Sequence, residues 1–171
     1  MSRSAAVVRT ALAVAALASA ALSAPQAVAA DRPEVTISAK ADSLTRTLAR
    51  QDPQAAAAAA TVCGTGYALN KAIPLPEGTD PGMRLATLFS YTNGGKGCAI
   101  MDNNVGASRY MSLKICKVDG TGCDSDTGNF SQYAGPVYVS SIACAKVTAK
   151  MGTSSSSLFI NYASDYVFPC N

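Results

Sequence analysis

All 6 cysteines, all 13 glycines, all 7 tyrosines and all 4 phenylalanines of this 171-residue chain lie after Val62, and the chain has no histidine. A core needs large apolar side chains and turn formers, so it must begin near Cys63. It then runs as one domain over residues 63–171. The cysteines (Cys63, Cys98, Cys116, Cys123, Cys144 and Cys170) are even in number, which in an exported chain reads as three disulfides. Zinc is the competing use, and the absence of histidine and of any CxxC spacing argues against it.

Export is itself legible. Arg3 and Arg9 precede an apolar run at residues 11–24, "ALAVAALASAALSA", which is shorter than the about 20 residues a membrane span needs. Small residues at 27–30 ("AVAA") then suit signal peptidase. Residues 1–30 are predicted to be a signal peptide, leaving a secreted product with no membrane span. Without Arg3 and Arg9 the chain carries 12 Lys+Arg against 11 Asp+Glu. No basic block stands out, so a nucleic-acid partner has no electrostatic footprint.

Residues 31–62 read as a separate pro-segment or linker. Asp42 or Ser43 can cap a short helix bearing Leu44 and Leu48, and Asp52-Pro53 is a second start signal. The alanine run after it has high helix propensity but little area to bury. A solvated, marginally helical tail is the expectation.

From Cys63 onward the period becomes two. "RYMSLKIC" puts Met111, Leu113 and Ile115 on one face and Ser112, Lys114 and Cys116 on the other. "LATLFSYT" leads into Asn93-Gly94, a pair suited to a tight hairpin turn, and "GCAIM" returns. That register sets Phe89 opposite Cys98. "GPVYVSSIACAKVTA" and "SLFINYASDYVF" are further β-rich runs, separated by the polar turn "GTSSSS". The proline-rich "KAIPLPEGTDPGM" reads as an extended surface loop. The class is all-β, a small disulfide-stapled antiparallel sandwich or barrel.

One stretch, "KICKVDGTGCDSDTGNF" at 114–130, resembles a site. A turn at Asp119-Gly120 would pair Val118 with Thr121 and Lys117 with Gly122, and set Cys116 opposite Cys123. Opposed residues lie about 4.5–5.5 Å apart, within disulfide reach. The other four cysteines can pair in more than one way. Cys63–Cys98 and Cys144–Cys170 are favoured, since each joins strands near in sequence. Asp124, Asp126 and Asn129 around Gly128 have the oxygen ligands and glycine of a calcium loop, but no bidentate glutamate follows; a solvated loop is the expectation and no metal is assigned.

Catalytic groups are scarce. Without histidine, Ser-His-Asp and Cys-His catalysis and most zinc hydrolase sites are excluded. The core carboxylates (Glu77, Asp80, Asp102, Asp119, Asp124, Asp126, Asp165) sit mostly in turns. No motif marks a Ser-Lys dyad and no phosphate loop exists, so neither catalytic residues nor a cofactor are assigned.

"CGTGY" at 63–67, "GKGCAI" at 95–100 and above all "GNFSQYAGPVYV" at 128–139, followed by Cys144 and a terminal Cys170, resemble the spore-associated protein A family of small secreted actinobacterial proteins. The Cys116/Cys123 pair looks like an addition to that family's four-cysteine pattern. The resemblance implies a place on the spore or envelope exterior and no reaction. A non-enzymatic structural or adhesive protein with a cell-envelope or spore-surface partner is the leading expectation. A protease inhibitor using "PLPEGTDPGMRL", or a carbohydrate-binding module, are the alternatives. Tyr133 and Tyr138 are either packing residues or a sugar-stacking surface.

Overall fold

A computed structural model of the chain describes residues 34–170; the signal-peptide reading of 1–30 lies outside them. Two helices come first, α1 (Ser43–Gln51) and α2 (Pro53–Cys63). Eight strands follow: β1 (Ala68–Leu75), β2 (Ala86–Asn93), β3 (Lys96–Asn103), β4 (Arg109–Cys116), β5 (Asp124–Phe130), β6 (Tyr133–Val139), β7 (Lys146–Ser154) and β8 (Ser157–Ser164). They form two antiparallel four-stranded sheets, ordered β1-β2-β3-β6 and β5-β4-β7-β8. The all-β sandwich is therefore present, but its first sheet is buried on both faces.

One face of that sheet meets the second sheet. Leu88, Met101 and Val137 pack there against Met111, Leu113, Ile115, Met151 and Ile160. The other face lies under the helices, where Phe89, Tyr91 and Ile100 meet Leu48, Ala56 and Ala59. Residues 34–62 thus depart from the expected solvated tail. Alanine buries little area, but it lets a helix backbone come close. The Tyr91 hydroxyl donates to the Ala56 carbonyl at 2.6 Å, and the Cys63–Cys98 disulfide pins the end of α2. Asp42 and Asp52 cap the two helices by accepting from the N–H groups of Thr45 and Ala55.

The lead-in also covers the edge of the first sheet. Leu69 donates to Thr36 and accepts from Ser38, and the Ala72 N–H donates to Thr45 Oγ1 at 3.0 Å. Pro74 belongs to this edge strand rather than to a loop. The alternation that turns the Ala72 N–H outward turns Pro74 outward too, where a missing N–H removes no ladder bond.

One register and one strand assignment differ from the sequence reading. Gly94 and Gly95, both at positive φ (54° and 87°), form the β2–β3 turn in place of Asn93-Gly94. Tyr91, not Phe89, therefore faces Cys98, and Phe89 faces Ile100. The run "GPVYVSSIACAKVTA" splits into β6 and β7, which lie in different sheets. The chain crosses between them around Cys144, at φ 47° and bonded to Cys170.

Candidate functional site

The stretch that looked most like a site has an architectural use. Cys116 and Cys123 are bonded with Cα atoms 4.0 Å apart; Cys123 is exposed, but Cys116 is buried although it shares the outer face with Ser112 and Lys114. The turn is longer than the predicted pair. Lys117 pairs with Thr121 rather than Gly122, and Gly120 and Gly122 both take positive φ. Asp119 Oδ1 accepts from the Thr121 hydroxyl and N–H, which holds its carboxyl below the usual value.

"DSDTGNF" is strand β5, not a solvated loop. Its outward residues Ser125, Thr127 and Asn129 are exposed, and the alternate residues are half-buried toward β6. Asp126 Oδ2 accepts from the Gly135 N–H and Asp124 Oδ2 from the Tyr138 N–H, each at 2.8 Å. The two carboxylates thus bind the edge of one sheet to the edge of the other. Among the described residues no three His, Cys, Asp or Glu side chains converge as a metal site would require.

Strand β6 carries both tyrosines singled out in the sequence. A bulge opposite Ala99–Met101 takes up Gly135 and Pro136, so Ala134 and Val137 both enter the inter-sheet core. Tyr133 packs instead against the helix-side cluster. Tyr138 is 39% exposed, but its hydroxyl donates to the carbonyls of Val62 (3.2 Å) and Cys63 (3.4 Å) at the end of α2. Its ring lies 6.4 Å from that of Tyr67. Tyr138 thus seats the end of α2, while Tyr133 packs on the helix side and also lines a surface hollow of about 360 Å³ with Phe130 and Gln132.

A concavity with both charged and aromatic lining lies at the opposite flank, between β1 and β8. A groove of about 370 Å³ is lined by Leu44, Ile73, Pro74, Glu77, Tyr162 and Tyr166, among others. A second hollow of about 250 Å³ shares Asp42, Lys71 and Tyr166 with it. Tyr166 is 73% exposed, and Lys71 Nζ donates to its carbonyl at 2.9 Å. Burial pushes the Asp42 pKa up, but the two hydrogen bonds from Thr45 and the charge of Lys71 outweigh it and hold the carboxylate below its ordinary value. Burial and the nearby Glu77 raise the Tyr162 pKa against a hydrogen bond with Ser164. An exposed ring beside an ionised carboxylate, an ammonium and several hydroxyls can stack on and hydrogen-bond a polar ring. No sequence motif marked this groove, because segments far apart in the chain build it.

The loop between β1 and β2 is held firmly at its base. Arg84 donates to the Pro81 carbonyl (2.7 Å), to Thr87 Oγ1 (2.8 Å) and to Asp52 (3.2 Å). Its tip, Pro81–Met83, is a 3-10 turn with Met83 73% exposed. Protease-inhibitory loops present an extended strand, which this turn does not.

Over 80 residues the chain is 34% identical to spore-associated protein A of Streptomyces coelicolor. The matched stretch is 46% of this chain and 49% of that protein, so the chain spans about half the length of the curated relative it matches. No protein-family model matches the chain. No solved structure matches it either.

Proposed function

We propose that the chain is an exported, non-enzymatic protein of the spore or envelope exterior, with a structural or adhesive role. In this reading the β1/β8 groove is its contact site for sugar residues of a surface polymer. The similarity to a spore-associated protein supports the location, as do three disulfides, which persist in oxidising surroundings. The groove carries the adhesive part: it sets a ring 73% exposed, more than the 39% of Tyr138 or the 38% of Phe159, beside Asp42 and Lys71.

The test is retention of the disulfide-intact protein on purified wall and spore-coat polysaccharide. Wild-type protein should be retained, and Tyr166→Ala and Lys71→Ala should each release it at least about fivefold more readily, a loss of about 1 kcal/mol. Equal retention of all three would remove the groove from the proposal. Nanomolar inhibition of subtilisin- or trypsin-like proteases by the same preparation would replace the adhesive role with an inhibitory one.

A further inference from the structure

A second surface, independent of the groove, has no use in holding the fold together. The outer face of the second sheet carries Lys114 on β4 and Lys146 and Lys150 on β7. The register sets Lys114 opposite Thr148, Lys150 opposite Ser112 and Lys146 opposite Cys116. Lys114 therefore lies diagonal to both other lysines, about 7–8 Å away at the Cβ level. Lys146 and Lys150 are four residues apart on one strand, about 13 Å. The three form a short zigzag of positive charge along a flat sheet.

None of them makes an ion pair among the described residues, and the one carboxylate near them in register is the exposed Asp165, one residue past the Ser164 that faces Val147 and so beside Lys146. The carboxylates of the neighbouring strand β5, Asp124 and Asp126, are turned to the other side and accept from β6. Arg84–Asp52 is the single ion pair among the described residues, so none of the three lysines is paired. Like charges this close on adjacent strands mildly destabilise a sheet. Edge protection does not explain them, because β4 and β7 are the inner strands of their sheet. Solvation alone does not need them either, since Ser112, Thr127 and Thr148 already make the face polar.

We infer that this face binds a linear, phosphate-bearing wall polymer laid across strands β4 and β7. Lysine heads act as mobile point charges, the way lysine binds phosphate, and need no bidentate geometry from groups spaced along a flexible chain. The surrounding hydroxyls can donate to phosphate oxygens. The flat face matches an extended chain rather than a knob inserted in a pocket.

Long-chain inorganic polyphosphate is the probe, used with the disulfide-intact protein. Dextran serves as the uncharged control, and polyglutamate, anionic phospholipid vesicles and single-stranded DNA as the competing polyanions. Wild-type protein should bind polyphosphate and not dextran, and weaken about 20- to 40-fold between about 50 and about 200 mM salt as three counterions are released. The variant K114Q/K146Q/K150Q should lose binding more than tenfold while circular dichroism and melting stay unchanged. The charge-matched variant K40Q/R50Q/K96Q, at exposed sites elsewhere, should keep it. Tyr166→Ala should keep it too, which separates this face from the groove. Absence of wild-type binding at low salt, or equal losses in the two charge variants, would overturn the assignment. Tighter binding to polyglutamate, vesicles or DNA would overturn the partner.

Discussion

The two flanks of the sandwich solve one problem in opposite ways. Every open sheet has edges whose main-chain groups need partners. At the β5/β6 flank, Asp124 and Asp126 supply acceptors to the N–H groups of Tyr138 and Gly135, and the two sheets are bound together edge to edge. At the β1/β8 flank the lead-in covers β1 as far as Ala72, and no strand or carboxylate closes the gap beyond it among the described residues. The groove is what remains. A small β domain can carry a recess where its edges are left apart, and the firmly bonded flank makes that open one tolerable.

Glycine substitutions should separate the flanks most strongly. Gly135 sits at φ 106°, and a Cβ there would lie 2.8 Å from the Ala99 carbonyl oxygen and 3.3 Å from Leu113 Cδ2. Gly135→Ala should destabilise by about 3 kcal/mol, combining backbone strain with a collision against the neighbouring strand. Gly78, at the groove, also has positive φ (81°), yet a Cβ there meets nothing within 4 Å. Gly78→Ala should cost about 1 kcal/mol, from strain alone. Urea midpoints measure both, and equal shifts would show that the flanks do not differ in tightness.

Next in size come the carboxylates of β5. Asp126→Ala leaves the half-buried Gly135 N–H without an acceptor and should destabilise by about 1–3 kcal/mol. Asp124→Ala acts on a more exposed bond and should cost about 1 kcal/mol or less. Asp126→Asn keeps an oxygen in place and should be nearly neutral. A full loss in Asp126→Asn would mean that charge, not acceptor geometry, binds the sheets.

Acid titration contrasts carboxylates of β3 and of the groove. Asp102 is pushed up to about 6 by burial and by the nearby Asp52, against the pull of Asn104 and Arg84. Folded, it holds its proton more tightly than at its ordinary 3.8. Stability through this group therefore rises as pH falls from about 7 through 6 toward 4, and is lost as pH rises through 6. Asp42 has the opposite sign: its pKa is lowered, so its contribution is present above 3.8 and is lost as pH falls through the folded value. Melting temperature should peak on the acid side of neutrality, and Asp102→Asn should flatten the rise between about pH 7 and 5. A slope unchanged by Asp102→Asn would assign the rise to another group.

How much of this was readable depended on whether the information was local. The Cys116–Cys123 staple follows from seven residues of spacing around an Asp-Gly turn. The docking of α2 does not. Ala56 and Ala59 look like propensity rather than a face, and their value appears once Tyr91 reaches the Ala56 carbonyl from another element. Doubly buried β3 left a trace in its apolar run GCAIM, the pattern of a strand covered on both faces, whereas in β2 the buried Thr87 and Ser90 interrupt that pattern. Strand β5 was hidden because its inward positions are Asp124, Asp126 and Gly128, residues that ordinarily mark loops. The groove was hidden for a different reason: Leu44, the Pro74–Glu77 stretch and Tyr166 belong to three separate segments with no common motif.

The smallest stability effect is the one that bears most on function. Tyr166 is 73% exposed and its own hydroxyl takes no part in the hydrogen bonds of the fold; Lys71 is held by its main-chain carbonyl, which any residue supplies. Tyr166→Ala should therefore shift stability by no more than about 0.5 kcal/mol. The same change removes the exposed ring from the groove and should lower retention on wall polysaccharide at least about fivefold. Tyr138→Ala should give the reverse pattern, because that hydroxyl seats the end of α2. It should lower the melting temperature and leave retention intact. If Tyr166→Ala destabilised the fold while Tyr138→Ala released the polymer, the open flank would be the structural one and the adhesive surface would lie over α2.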